Sequence, residues 1–129
     1  MAAKRILVVD DELGITRGIM MNLEGAGEYE VRTENKARDT LTAARDFRPD
    51  LILLDVMMPE MDGGDVASEL RDDPVLKDIP IVFLTAAISI EETGGHEKVS
   101  GPMVYLAKPV VTSELTKCIE RHLRQQSPS

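Results

Sequence analysis

The sequence predicts an α/β fold built on a doubly wound parallel sheet, and two observations carry this prediction. Three short runs, at residues 6–9, 51–54 and 81–84, are continuously apolar. Such runs are typical of strands that are buried on both faces, as in a parallel sheet covered by helices. Segments with apolar residues at helical spacing separate these runs, so strands and helices alternate along the chain.

The elements can be placed in chain order from these two patterns. Strands are predicted at residues 6–9, 29–32, 51–54, 81–84 and 103–106, and the second of them is the weakest. Because crossovers between parallel strands are right-handed, the helices between them are expected to cover both faces of the sheet. The helices are predicted from four apolar stripes: Ile15, Ile19 and Leu23; Ala37, Leu41 and Ala44; Val66 and Leu70; and Leu115, Ile119 and Leu123.

The segment between the fourth and fifth predicted strands breaks the pattern. A helix is expected to begin near residue 86, but Gly94 and Gly95 interrupt it. Each glycine costs about 1 kcal/mol in a helix interior relative to alanine. The sequence therefore predicts a short, broken or mobile fourth helix, with fast amide exchange at residues 91–98. The domain is expected to span residues 4–125, and residues 126–129 to form a disordered tail or the start of a linker.

Composition narrows the class of protein. A chain of 129 residues with 43% hydrophobic and 29% charged residues suits one globular domain. The formal net charge of -8 argues against direct nucleic-acid binding by this domain, since phosphate recognition needs basic surface. No apolar run is long enough for membrane insertion. The single cysteine, Cys118, is expected to pack in the core, and because one cysteine excludes an internal disulfide, a reducing compartment is expected. The sequence shows no targeting signal either, so a cytoplasmic location is expected.

Polar residues stand directly after the predicted strands. Asp10 and Asp11 follow the first strand, and Asp55, Thr85 and Lys108 follow the third, fourth and fifth. Sites in open α/β sheets form at the carboxyl ends of the strands, so these side chains are expected to converge. Three neighbouring carboxylates repel one another unless a cation intervenes, and oxygen ligands favour Mg²⁺, Ca²⁺ or Mn²⁺. One carboxylate could then attack phosphorus and form an acyl phosphate.

Four segments in order resemble the receiver domains of two-component response regulators, in particular the chemotaxis-type single-domain receivers. They are residues 6–12 (Ile-Leu-Val-Val-Asp-Asp-Glu), 53–63 (around Asp55), 83–86 (Phe-Leu-Thr-Ala) and 105–109 (Tyr-Leu-Ala-Lys-Pro). The resemblance covers roughly residues 4–125. It implies a flavodoxin-like fold with five parallel strands in the order 2-1-3-4-5.

The same resemblance implies a Mg²⁺-dependent phosphoacceptor. Asp55 is expected to accept the phosphoryl group. Asp11, Asp55 and the backbone carbonyl of Met57 are expected to bind Mg²⁺ directly, and Asp10 through metal-bound water. Independently of the resemblance, Gly63 is expected to serve a turn that needs a positive φ angle, which glycine adopts without steric cost.

Three further residues complete the implied site and its switch. Lys108 is expected to pair with one phosphoryl oxygen and Thr85 with another. As Thr85 moves, Tyr105 is expected to swing inward, so the phosphorylated population adopts a different conformation.

The resemblance also implies partners. The phosphodonor is expected to be a sensor histidine kinase or a phosphotransfer protein, and the target a downstream protein or output domain. The domain is expected to be a monomer or a phosphorylation-dependent dimer. It is not expected to be an enzyme, because it assists only its own phosphorylation and dephosphorylation.

Three other functions are alternatives to this interpretation. A receiver-like adaptor that is never phosphorylated remains open, although the intact acid set disfavours it. An aspartate-nucleophile phosphatase of haloacid-dehalogenase type needs an Asp-x-Asp pair after the first strand, where this chain has Asp10, Asp11 and Glu12. A flavin-binding electron carrier needs a glycine- and hydroxyl-rich phosphate loop at the same place, where the three acids would repel a phosphate.

Overall fold

The computed structural model describes residues 3–59, 61, 63–85, 98–100, 103–108 and 110–126. The predicted fourth helix, within residues 86–97, lies outside the described residues, and so does most of the segment predicted to exchange its amides fast. The last helix reaches Gln126, and residues 127–129 of the predicted tail also lie outside the described part.

In the described part of the chain, six strands form one sheet. Their order is β2-β1-β3-β4-β6-β5, and every neighbouring pair is parallel except β5 and β6. The five parallel strands therefore have the predicted order, 2-1-3-4-5 in the numbering of the predicted strands. The bounds are β1 Lys4–Val9, β2 Tyr29–Glu34, β3 Leu51–Asp55, β4 Ile81–Thr85, β5 Lys98–Ser100 and β6 Met103–Ala107.

The sixth strand, β5, was not predicted. Its three residues pair antiparallel with β6, with Ser100 opposite Met103, so only residues 101 and 102 connect the two strands. A strand of three residues with a lysine and a serine has no apolar run by which to find it. The adjacent Gly101 and Pro102 were the one available signal, because this dipeptide marks turns.

Within the described residues, three α-helices and one 3₁₀ turn lie between parallel strands, and a fourth α-helix follows β6. The 3₁₀ turn is Ala37–Asp39, and the α-helices are α1 Leu13–Gly25, α2 Thr40–Phe47, α3 Gly63–Asp72 and α4 Thr112–Gln126. Helix α2 ends where Arg48 adopts the left-handed conformation at φ 53°, and the Arg48 amide donates to the Ala44 carbonyl. None of the helices in the described ranges is both long enough and apolar enough to cross a membrane.

The core lies on both faces of the sheet, as the continuous apolar runs predict. Alternate residues of a strand point to opposite faces. In β1, Ile6 and Val8 pack with α1 and α4, whereas Leu7 and Val9 pack with α2 and α3. The predicted stripes supply the helical side of this core, and Cys118 packs among the α4 residues as predicted. The helices packed on both faces hold the strand ends in place, and therefore also the polar residues that follow them.

Candidate phosphoacceptor site

The sheet register brings the predicted site residues together. Val9 pairs with Leu54, Asp55 with Leu84, and Thr85 with Ala107, so β1, β3, β4 and β6 end side by side. Further backbone bonds continue these ladders: the Val56 amide donates to the Leu84 carbonyl at 3.0 Å. The carboxyl ends of four parallel strands thus form one edge, where a site was expected.

Three carboxylates cluster at this edge. Asp10, Asp11 and Asp55 each offer one oxygen, and these oxygens all lie within 4.8 Å of one another. Asp10 is fully buried and Asp55 is 3% exposed, whereas Asp11 is exposed. A buried carboxylate is stable only when it is paired or hydrogen-bonded, so the two buried acids need a cationic partner.

Lys108 provides that partner. Its Nζ lies 2.7 Å from Asp10 Oδ2 and 3.1 Å from Asp55 Oδ1, and the side chain is only 12% exposed. The ion pair with Lys108 is the polar contact of Asp10 Oδ2 within the described residues, because that buried oxygen accepts no further hydrogen bond there. The other Asp10 oxygen, Oδ1, accepts the Glu12 amide at 3.0 Å.

Burial and these contacts shift the pKa values of Asp55 and Lys108. Burial raises the pKa of the Asp55 carboxyl, and the nearby Asp10 charge raises it further; the hydrogen bonds from Lys108 and the Met57 amide only partly offset this rise. Burial alone lowers the pKa of Lys108, but its hydrogen bonds to Asp10 and Asp55 and their charges outweigh burial, so the net direction is upward. Lys108 therefore stays cationic at neutral pH. Burial and Asp10 destabilise the charged form of Asp55, and a bound cation in addition to Lys108 would stabilise it.

Thr85 and Tyr105 occupy the two neighbouring strands. Thr85 is the last residue of β4 and is 4% exposed, and its carbonyl accepts the Lys108 amide at 3.0 Å. Tyr105, in β6, is partly buried and stacks on Phe83 with ring centroids 5.4 Å apart. Phe83 and Tyr105 are opposite each other in the ladder, so the stacked rings lie two residues before the end of β4.

Met57 borders the site through its backbone. Its amide donates to Asp55 Oδ1 at 3.3 Å, while its side chain is 72% exposed. The side chain therefore takes no part in the core, and the loop after β3 contacts the Asp55 carboxylate through the Met57 amide. This arrangement agrees with a backbone role for Met57, and its carbonyl as a metal ligand stays a prediction.

The predicted reason for Gly63, a positive φ angle, is wrong. Among the described glycines, only Gly27 has a positive φ angle. Gly63 is instead needed for close approach, because a Cβ there would lie 2.5 Å from the Asp55 carbonyl oxygen and 2.9 Å from Val56 Cα. Its amide donates to the Val56 carbonyl at 2.7 Å. Helix α3 thus begins directly against the backbone that carries Asp55.

One residue at this edge was not found from sequence. The side-chain amide of Asn35, after β2, contacts the Asp10 carbonyl and the Thr16 hydroxyl. Asn35 and Asp10 are 25 residues apart, and Asn35 belongs to no motif, so only the folded structure shows this contact.

The donor set suits a hard divalent cation. Every candidate ligand is an oxygen, two of the three carboxylates are buried, and the carboxylate oxygens are close enough to share one ion. Mg²⁺ binds through one or two carboxylates and keeps open positions for phosphate oxygens and water. The site can therefore neutralise a phosphoryl group from two sides, by Lys108 and by a bound cation.

Comparison with known proteins agrees with this site. Residues 6–120 match the family model described as "Response regulator receiver domain". The chain is 38% identical over 123 residues to the DNA-binding response regulator MtrA of Mycolicibacterium paratuberculosis. It is 30% identical over 125 residues to the response regulator Rre1 of Synechocystis. These matches cover 95% and 96% of this chain but 52% and 53% of the relatives, so the chain spans about half their length.

Solved structures extend the match over whole chains. The chemotaxis response regulator CheY4 of Vibrio cholerae is 32% identical with a TM-score of 0.76, over 93% of this chain and 98% of that one. A putative response regulator from Chloroflexus aurantiacus is 30% identical with a TM-score of 0.79, over 95% and 99%. The strand order, the strand-end acids with their lysine, and these matches agree: the chain belongs to the response regulator receiver domains, the phosphoacceptor domains of two-component signal transduction.

Proposed function

We propose that Asp55 is the phosphoacceptor and that it takes the phosphoryl group from a phosphohistidine of a sensor histidine kinase or a phosphotransfer protein. The observation that carries this assignment is the position of Asp55 Oδ1, 3.1 Å from Lys108 Nζ in a group of three carboxylates. Asp55 is the acid that ends the central strand β3, and its carboxylate touches both the lysine and the loop after the strand.

In the proposed reaction, a carboxylate oxygen of Asp55 attacks phosphorus and forms the acyl phosphate. The bond from phosphorus to the donor's imidazole nitrogen breaks, and the imidazole keeps the electron pair. Both described hydrogen bonds of the carboxylate reach Oδ1, so we assign the attack to Oδ2. The Lys108 ammonium then neutralises a phosphoryl oxygen. Phosphoryl transfer needs mainly positioning and charge stabilisation, which this arrangement provides. The domain thus assists its own modification and acts on no separate substrate.

Mg²⁺ is the cation we propose for the site. Asp11, Asp55 and the Met57 carbonyl would hold it directly and Asp10 through water, and it would supply charge neutralisation for the transferred group. Ion pairing of Lys108 with both Asp10 and Asp55 keeps these two acids in place before the cation binds.

The conformational response is proposed to run through Thr85 and Tyr105. The Thr85 hydroxyl would bond a phosphoryl oxygen, and the movement of β4 would change the packing of Tyr105 on Phe83. The motivating observation is the position of Thr85 between Asp55 and the β6 strand. In Thr85→Ala, phosphorylation should persist while the change in the Tyr105 ring signals, followed by NMR, is lost. An unaltered Tyr105 response in the variant would refute the switch.

We propose that the phosphodonor protein docks beside Lys108. A cleft of about 420 Å³ lies there between α1 and the segment after β6, lined by Ile15, Ile19 and Val110 among others. Leu13 and Val111 are each adjacent in sequence to a residue that lines the cleft, and both are more than half exposed. Because the cleft shares Lys108 with the site, a partner seated on it would reach Asp55. Val111→Glu should slow transfer from a protein donor and leave phosphorylation by acetyl phosphate unchanged; equal effects on both would contradict this docking position.

We further propose that residues 4–125 form the receiver, and that it controls a downstream protein or an output domain. It would work in the cytoplasm as a monomer or a phosphorylation-dependent dimer. The net charge of -8 supports the proposal that this domain does not itself bind nucleic acid.

Intact mass after incubation with acetyl phosphate tests the acceptor. Wild type should gain one phosphoryl group when Mg²⁺ is present and none when it is chelated. Asp55→Asn should gain none, whereas Asp78→Asn, which removes an exposed acid from the turn before β4, should behave as wild type. No gain in wild type, with acetyl phosphate or with a cognate kinase, would instead support an unphosphorylated adaptor.

A further inference from the structure

The side-chain amide of Asn35 ties two loops together at the edge of the site. Its Nδ2 donates to the Asp10 carbonyl at 2.8 Å and to Thr16 Oγ1 at 3.1 Å. Thr16 Oγ1 in turn donates to the Leu13 carbonyl at 3.2 Å. A backbone carbonyl can only accept, so the nitrogen of the amide must face Asp10, and both of its hydrogens then have an acceptor.

The Asp10 backbone is held from both sides as a result. Its amide donates to the Glu34 carbonyl at 3.1 Å, and its carbonyl accepts from Asn35. The carbonyl belongs to the peptide that joins Asp10 to Asp11. Asp11 is exposed, so packing does little to place its carboxylate. The orientation of this peptide sets the direction in which the Asp11 side chain leaves the backbone.

Asn35 is itself placed before any ligand arrives. The Glu34 carboxylate accepts hydrogen bonds from the backbone N–H groups of Asn35 at 3.1 Å and Lys36 at 3.3 Å, and these bonds order the turn after β2. On the other side, Thr16 is 1% exposed, so its hydroxyl depends on protein partners. The turn after β2, Asn35 and the start of α1 therefore form one connected network.

We propose that Asn35 is a positioning residue that sets the Asp10–Asp11 pair for divalent-cation binding. The inference rests on the proposed function, because it assigns the cation to these acids. Asn35 acts through the backbone of Asp10 and touches neither the phosphoryl group nor the cation. Groups that orient metal ligands from outside the coordination sphere typically contribute 10- to 100-fold to metal affinity or activity. Loss of the amide should therefore weaken cation binding while the contact between Lys108 and Asp55 stays intact.

Direct cation binding by the unphosphorylated chain is the test. Mg²⁺ affinity is measured by titration calorimetry and Mn²⁺ affinity by electron paramagnetic resonance, for wild type, Asn35→Ala, Asn35→Asp and the control Asn22→Ala. Asn22 is an exposed asparagine on α1. Urea unfolding without metal measures the stability of each variant separately. We expect Asn35→Ala to raise the dissociation constants about tenfold or more, and Asn22→Ala to leave them within about twofold.

Asn35→Asp separates hydrogen bonding from shape. The aspartate is nearly isosteric but cannot donate when ionised, and its added negative charge would by itself favour a cation. Weaker binding in this variant, despite the added charge, supports the proposal. If Asn35→Ala does not fold, cation binding by Asn35→Asp alone tests the positioning role of Asn35.

Wild-type affinity in Asn35→Asp, or in folded Asn35→Ala, overturns the role of Asn35. If wild type binds the cation in these titrations and gains a phosphoryl group from acetyl phosphate by intact mass, the proposed function stands and only the positioning role is lost. If wild type binds neither ion, the proposed function fails together with it.

Discussion

Replacement of Gly63 by alanine tests how closely helix α3 is built against the acceptor. The new Cβ would lie 2.5 Å from the Asp55 carbonyl oxygen, about 0.9 Å inside the 3.4 Å at which ordinary contact begins. The next two atoms, Val56 Cα at 2.9 Å and the Asp55 carbonyl carbon at 3.2 Å, are also backbone and cannot rotate away. Relief therefore requires α3 or the end of β3 to move. Overpacking of this kind costs roughly 1–3 kcal/mol.

Gly18→Ala is the matched control. Gly18 lies inside α1, and a Cβ there would meet nothing within 4 Å. The same chemical change should therefore stabilise the protein by roughly 0.5–1 kcal/mol, because alanine loses less conformational freedom in a helix.

Urea unfolding of the two variants measures the pair of effects. We expect opposite signs, with the unfolding free energies of the two variants differing by about 1.5–4 kcal/mol. Folded Gly63→Ala should also be phosphorylated more slowly, because Asp55 is displaced. If Gly63→Ala is as stable as wild type and is phosphorylated at the same rate, the close packing of α3 on the acceptor strand is refuted.

Three further predictions concern titratable groups. Burial and Asp10 raise the pKa of Asp55, so the charged carboxylate lowers the stability of the fold once the pH exceeds the unfolded-state pKa of about 3.9. Asp55→Asn should therefore raise the thermal midpoint at pH 7 without metal. The variant should also lose the increase in thermal midpoint that Mg²⁺ causes in wild type. The hydrogen bond from Arg45 lowers the pKa of Asp73, so this pair stabilises fully above about pH 3.9 and less as the pH falls through the lower folded-state pKa. The destabilisation caused by Asp73→Asn should therefore shrink in urea titrations between pH 7 and pH 3, and a constant difference would contradict it. Burial raises the pKa of the Cys118 thiol to about 12, and the residue is 1% exposed. Iodoacetamide at pH 8 should therefore label it only as fast as the protein unfolds, and a rapid initial phase would show that the thiol is accessible.

Much of the fold and most of the candidate site could be predicted because the signals are local. The aliphatic runs of β1, β3 and β4 identify strands that are buried on both sides, and the residue after each run is necessarily at the edge of the sheet. Asp10, Asp55 and Thr85 therefore follow from the same pattern that identifies the strands. The structure brings Asp10, Asp55 and Lys108 into contact, as expected for groups at neighbouring strand ends.

The features that sequence missed depend on contacts between distant segments. Strand β5 has three residues and exists through its pairing with β6. The bond from Asn35 to Asp10 joins loops that no sequence motif connects. The role of Gly63 was mistaken because a glycine in a loop suggests a positive φ angle, whereas here the constraint comes from the backbone of β3.

We propose that Asp55, among the three clustered acids, carries the phosphoryl group. Reduction of the acetyl-phosphate-treated protein with borohydride converts an aspartyl phosphate to homoserine, and peptide sequencing by mass spectrometry then locates that residue. We predict homoserine at position 55, formed only in samples phosphorylated with Mg²⁺ present. Homoserine at position 10 or 11, or at none of the three positions in a sample whose mass shows a phosphoryl gain, would contradict the assignment.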